Sequence, residues 1–276
     1  MKIKPLGIAM ILLWATTFAC AQKLPNIQQK SLRIPVDMKI DGKATEWNNQ
    51  LQAHNSATNI FYTLANDDEN LYLAVQAINA RIIEKILDVG ITLTINNAGN
   101  KSDKAKENIS ISYPAINDRY THSILVNAGD KANWSGLPSY AYQLPTTLTR
   151  TDSTVAVANK LFNTNSKNIK VLGCKNLPDT LISIYNEYNI KAVAEFSNNG
   201  VYTYELVVPL KFVGISINDH QKFTYNIKLN DWGNAMAAHT YMYHDPVTGK
   251  RGDEMDGDPD LNSTTEFWGE YTLAKK

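Results

Sequence analysis

The stretch IFYTLANDDENLYLAVQA, Ile60 to Ala77, decides how the rest of the chain is read. Ile60, Tyr62 and Leu64 alternate with Phe61 and Thr63, the period of a strand with one buried face. Asn66-Asp67-Asp68-Glu69-Asn70 then interrupts with side chains that bond nearby backbone and tolerate tight turns. Leu71, Leu73, Val75 and Ala77 alternate with Tyr72, Ala74 and Gln76, so a second strand returns. The unit is a β-hairpin with a wet turn and an apolar inner face. A lone hairpin cannot keep that face from water, so further strands must cover it.

The chain offers them at short spacing. Ser31 to Val36, Ile91 to Ile95, Ile109 to Tyr113 and Ser123 to Val126 read as strands. Ile190 to Phe196 and Val201 to Val208 form a second hairpin turning at Ser197-Asn198-Asn199-Gly200. Ile82 to Leu87 is apolar without clean alternation, and Leu181 to Tyr188 fits either a short helix or a strand. Asp41-Gly42 is a tight-turn signal, and Ala44 to Trp47 reads as a turn of helix that lowers Trp47 onto the core. No internal repeat is evident. The pattern predicts an all-β, antiparallel β-sandwich, immunoglobulin- or jelly-roll-like, with short helices and loop insertions.

The 276 residues suffice for one sizeable core, and 43% apolar with 20% charged residues is ordinary for a globular chain. Basic and acidic residues balance at 27 each, with no Lys/Arg cluster, so nucleic acid is excluded as an expected partner. Lys2 and Lys4, an apolar run from Leu6 to Trp14 and the small residues of Ala19-Cys20-Ala21 read as an export signal over residues 1–21. That run is too short to span a bilayer, and no transmembrane segment is expected elsewhere. The expected destination is periplasmic or secreted; the alternative is an outer-membrane lipoprotein anchored through Cys20. Cleavage after Ala21 leaves Cys174 as the sole thiol, without a partner for a disulfide. Residues 22–30 read as a linker, 31–276 as the sandwich, and the Asn-rich stretch of about 159–189 as an insertion decorating it.

Ile40-Asp41-Gly42-x-x-x-Glu46-Trp47, followed by Asn66-Asp67-Asp68-Glu69-Asn70-Leu71-Tyr72-Leu73, resembles the opening of carbohydrate-binding module family 9. Tyr202 to Leu210, Phe223 to Asp231 and Phe267 to Leu273 resemble later strands of that family. The resemblance implies a β-sandwich, a carbohydrate ligand and an association with enzymes of polysaccharide breakdown, so a partner enzyme or surface protein is implied with it. It also places Trp47 and Trp268 in structural motifs, which assigns both to the core. The acidic residues that in the family serve calcium after the Ile91–Ile95 strand are replaced here by Asn96-Asn97-Ala98-Gly99-Asn100 and a Lys-rich stretch.

A sugar stacks its C–H patches on aromatic rings, while neighbouring polar groups satisfy its hydroxyls. Trp134 in a Ser/Gly/Pro loop, and Trp232 after Asn230-Asp231, are the expected platform, with Tyr241 and Tyr243 beside them. Asp256, Asp258 and Asp260 alternate in an acidic loop and suggest oxygen ligands for Ca²⁺. The EF-hand pattern fails there, because Leu261 and Phe267 occupy the positions of its Gly and Glu. No catalytic set stands out: there is no Gly-x-Ser-x-Gly and no His-Glu-x-x-His. Two other classes remain open: a protein-interaction scaffold that lost the sugar site, and a haem-binding or glycoside hydrolase-associated protein. His239 and His244, five apart on an extended segment, would face opposite sides.

Overall fold

The computed structural model describes residues 23–115, 152–218, 221–231, 241–244, 251–254 and 263–276. The decisive stretch folds as β2 (Ile60–Asn66) and β3 (Asn70–Ala77), paired antiparallel with Leu64 opposite Leu73. Asp67 builds the turn between them. Its Oδ1 accepts the backbone N–H of Glu69 at 2.7 Å and of Asn70 at 2.6 Å, and the Tyr72 hydroxyl donates to its Oδ2 at 2.8 Å.

Three more strands complete that sheet: β1 (Ala53–Asn55), β8 (Lys191–Phe196) and β9 (Tyr202–Pro209). The order is β1-β2-β3-β9-β8. The predicted hairpin of β8 and β9 is present, closed by Ser197 N–H donating to the Val201 carbonyl at 2.9 Å. A second sheet uses β4 (Ile91–Asn96), β5 (Ile109–Tyr113), β6 (Asn168–Leu172), β7 (Leu181–Ser183), β10 (Phe223–Leu229) and β13 (Thr265–Tyr271), in the order β13-β10-β4-β5-β6-β7. All pairings of named strands are antiparallel. A separate ribbon pairs β11 (Tyr241–His244) with β12 (Arg251–Glu254).

The two large sheets face each other, and their inward residues form one core. From one side come Tyr62, Leu64, Leu73, Val75, Tyr204 and Leu206; from the other Leu93, Ile95, Ile111, Tyr113, Tyr225 and Ile227. Tyr113 stacks on Tyr204 across the gap with ring centroids 5.9 Å apart. The architecture is an all-β sandwich, as the alternation predicts. Among the described residues, no helix is long and apolar enough to cross a membrane.

Two local readings, Ser31–Val36 and Trp268, differ from the structure, and two further stretches take definite form. Ser31 to Val36 is not a strand; only Arg33 bridges Asn66, with Leu32 and Ile34 trading backbone hydrogen bonds with the same asparagine. The apolar run after Asn79 is helix α1 (Ala80–Val89), capped by Asn79 Oδ1, which accepts from the N–H of Arg81 and Ile82. The Asn-rich stretch of about 159–189 holds the end of helix α2 (Asp152–Asn165) and strands β6 and β7, and Phe162 on that helix is fully buried. Trp268 alternates with buried Phe267 and Gly269 and therefore lies on the outer face of β13, half-buried, outside the core. Strand candidate Ser123–Val126 lies outside the described residues.

Candidate functional site

Alternation fixes which side chains leave the core. With Tyr62 and Leu64 inward, Phe61, Thr63 and Ala65 point outward from β2. Register then sets them in rows across the five-stranded sheet. One row is Thr63, Ala74, Glu205 and Val193; another is Phe61, Gln76, Thr203 and Glu195. The two rows have different fates.

The first is covered by the N-terminal segment. Trp47, Leu51 and Ala44 bury against Ala65 and Ala74, with Leu32, Ile34 and Met38 packed around them. Trp47 thus sits where the sequence puts it, in a core, but in a second, smaller core outside the sandwich. Glu205 anchors this cover. It is 1% exposed, and its Oε2 accepts the backbone N–H of Asp41 at 3.0 Å and of Gly42 at 2.9 Å. Burial pushes its carboxyl up to about 7, and the nearby Asp41 and Glu46 add to the rise, while the two N–H bonds oppose it. A carboxyl held near neutrality invites an acid–base role, but this one is sealed beneath the Asp41-Gly42 turn. Its function is to hold the turn.

Gly42 can make that turn because it has no side chain. Its φ is +81°, and a Cβ would come within 2.9 Å of the Glu195 Cβ and backbone nitrogen.

The second row stays open. Phe61, Gln76, Thr203 and Glu195 line a groove of about 950 Å³, bordered by the segments Gly42–Thr45 and Asn49–Gln52 and by the Ser197–Asn199 turn. The Phe61 ring is half-buried and packs against the His54 ring, with centroids 4.4 Å apart. Gln76 Nε2 donates to Thr203 Oγ1 at 3.1 Å, which holds the carboxamide in place and leaves its second N–H and its carbonyl for a ligand. Glu195 Oε2 lies 3.8 Å from Lys43 Nζ, both partly exposed. Asn159 on α2 fixes the end of β8, accepting the Phe196 N–H at 2.7 Å and donating to the Phe196 carbonyl at 3.0 Å. The groove therefore offers one aromatic plate, several amides and a paired carboxylate.

None of these four residues was singled out in the sequence. One signal was available: an aromatic, Phe61, at an outward position of a half-buried strand.

Of the platform expected from the sequence, Trp134 and Trp232 lie outside the described residues, as do Asp256, Asp258 and Asp260. The Asn230 amide is engaged at both ends: Nδ2 donates to the Val89 carbonyl at 2.8 Å, and Oδ1 accepts from Thr92 Oγ1 at 2.8 Å. It ties the end of β10 to the junction of α1 and β4. Asp231 follows it, half-buried. Tyr241 and Tyr243 sit two apart on β11, opposite Glu254 and Gly252 of β12. Among the described residues no three His, Cys, Asp or Glu side chains converge as metal ligands. Cys174 is half-buried, and burial raises its thiol to about 11, which leaves it unreactive at neutral pH.

No protein-family model matches the chain, and no curated protein matches it significantly. Among solved structures it is similar to a carbohydrate binding module family 9 (CBM9) from Caldicellulosiruptor kristjanssonii in complex with glucose, with TM-score 0.39 and 9% identity over 90% of this chain and 97% of that one. A likeness that distant transfers neither family membership nor ligand to this chain.

Proposed function

We propose that this protein binds carbohydrate without making or breaking bonds, and that it does so after export. The observation that supports the reading is the open groove, where Phe61 lies in line with Gln76 and Glu195. An aromatic face for sugar C–H groups beside amides for hydroxyls is the mixture that carbohydrate needs. The basic and apolar N-terminus, Lys2 to Ala21, supports export. Trp134, Asp231, Trp232, Tyr241 and Tyr243 are a second candidate platform under the same reading, without Asn230, whose amide is already engaged at both ends. Accessory action beside a polysaccharide-degrading enzyme fits such a binder.

The test is tryptophan fluorescence of the mature chain titrated with a glycan panel. Trp47 packs in the same small core as Phe61 and reports on the groove. A saturable shift for one glycan supports the reading; a folded protein silent to the whole panel overturns it.

A further inference from the structure

The groove's floor has a direction. β2, β3, β9 and β8 are consecutive neighbours, and each contributes one side chain to a single line: Phe61 opposite Gln76, Gln76 opposite Thr203, Thr203 opposite Glu195. Neighbouring strands lie about 4.8 Å apart, so this line runs roughly 14 Å from Phe61 to Glu195. One strand interval is comparable with the length of one pyranose unit in an extended chain. We infer that the groove takes an extended, neutral oligosaccharide of about three units, lying across the strands from Phe61 to Glu195. This rests on the carbohydrate reading and specifies its ligand.

Three observations carry it. The groove's volume, about 950 Å³, is several times that of one hexose, so a single sugar would leave most of it to water. The chemistry also changes along the line. Phe61 offers a plate for one unit, the Gln76 amide offers a donor and an acceptor for the next, and Glu195 accepts hydroxyls from the last. Thr203 is a positioning residue: it is nearly covered, and its hydroxyl holds the Gln76 amide. Finally, the charges facing the groove from its own walls are Lys43 and Glu195, which pair with each other. A uronate would have to compete for Lys43 while lying against Glu195; a neutral sugar faces neither cost.

An extended peptide fits this floor less well. Extended peptides bind sheets by adding a strand at an edge, where backbone groups are unpaired. β3 and β9 are interior strands with ladders on both sides, and at the edge strand β8 the Phe196 N–H and carbonyl are already taken by the Asn159 amide.

The experiment is calorimetric titration of the mature protein with cello-, xylo-, manno- and malto-oligosaccharides of one to six units, and with oligogalacturonides. In the series that binds, affinity is expected to rise at least tenfold from one unit to three and then level off. Oligogalacturonides of equal length should bind at least tenfold more weakly. Phe61→Ala and Glu195→Gln, at opposite ends of the line, should each remove most of the gain with length while the fold, followed by circular dichroism, persists. Tight binding of a monosaccharide with no gain on lengthening overturns the inference and leaves the carbohydrate reading standing. So does length dependence that both variants preserve, because the glycan then lies elsewhere. Equal affinity for oligogalacturonides overturns the neutral ligand. Absence of binding in every series overturns the reading and the inference together.

Discussion

The hydroxyl of Tyr62 on β2 meets the hydroxyl of Tyr225 on β10 at 2.9 Å, joining the two sheets through the middle of an apolar core. Tyr62 also accepts the backbone N–H of Gln28 at 2.8 Å. Gln28 in turn brackets Leu64, donating to its carbonyl and accepting its N–H at 2.8 and 2.7 Å. One buried polar chain thus fastens the N-terminal segment, the first sheet and the second. Replacing Tyr62 by Phe leaves Gln28 N–H and the Tyr225 hydroxyl short of a partner, and is expected to cost about 1–3 kcal/mol by urea denaturation. The double variant with Tyr225→Phe should cost less than the sum of the two single changes. Strict additivity would show that the two hydroxyls do not act together.

Room for Tyr225 comes from Gly269, its direct partner across the β10–β13 ladder. A Cβ at that position would run into the Tyr225 ring. Gly269→Ala should therefore destabilise by about 1–3 kcal/mol, the usual cost of overpacking. The added penalty should shrink in a Tyr225→Ala background. An equal penalty in both backgrounds would place its cause in the backbone.

Helix α1 depends on one side chain at its start. Asn79→Ala removes the acceptor of two first-turn N–H groups and should cost about 1 kcal/mol, while Asn79→Ser or Asn79→Asp should cost little. Thermal melts of the three variants check the ranking.

Glu205 makes stability fall as pH rises. Its folded value of about 7 stands above the ordinary glutamate value of about 4.3, so the folded chain holds this proton more tightly than the unfolded one. Its contribution is full below the unfolded value, and declines from there until pH passes about 7. The span corresponds to roughly 4 kcal/mol. Glu205→Gln keeps an acceptor for the Asp41-Gly42 turn and removes the titration. The stability of the native protein relative to this variant should therefore drop between pH 4.5 and 7. A difference that stays flat with pH would contradict the buried carboxyl's role.

How much of this was legible follows from period and register. Alternation at Ile60–Ala77, Ile91–Ile95 and Ile190–Val208 marks strands because every second residue is apolar, and those strands are where the sequence puts them. Helix α1 was readable too: Ile83, Ile86 and Leu87 recur at helical spacing after an Asn and before Gly90. Ser31 to Val36 alternates, but its partner is a single residue, Asn66, which no local pattern reveals. The closing-strand motif assigns Trp268 to the core; only its buried neighbours Phe267 and Gly269 show which way it points. The groove is harder still. Phe61, Gln76, Thr203 and Glu195 are up to 142 positions apart, from Phe61 to Thr203, and only the pairing of four strands aligns them. Chemistry that arises from register is invisible to motif spacing.

The central claim is that carbohydrate binds over Phe61. The most direct measurement is titration of the mature protein with the glycan panel, followed by tryptophan emission, for the native chain, Phe61→Ala and Trp232→Ala. The account predicts a saturable change for a neutral glycan that Phe61→Ala abolishes and Trp232→Ala leaves in place. Loss of binding in Trp232→Ala alone would move the site to the loops, and silence from all three folded proteins would contradict carbohydrate binding altogether.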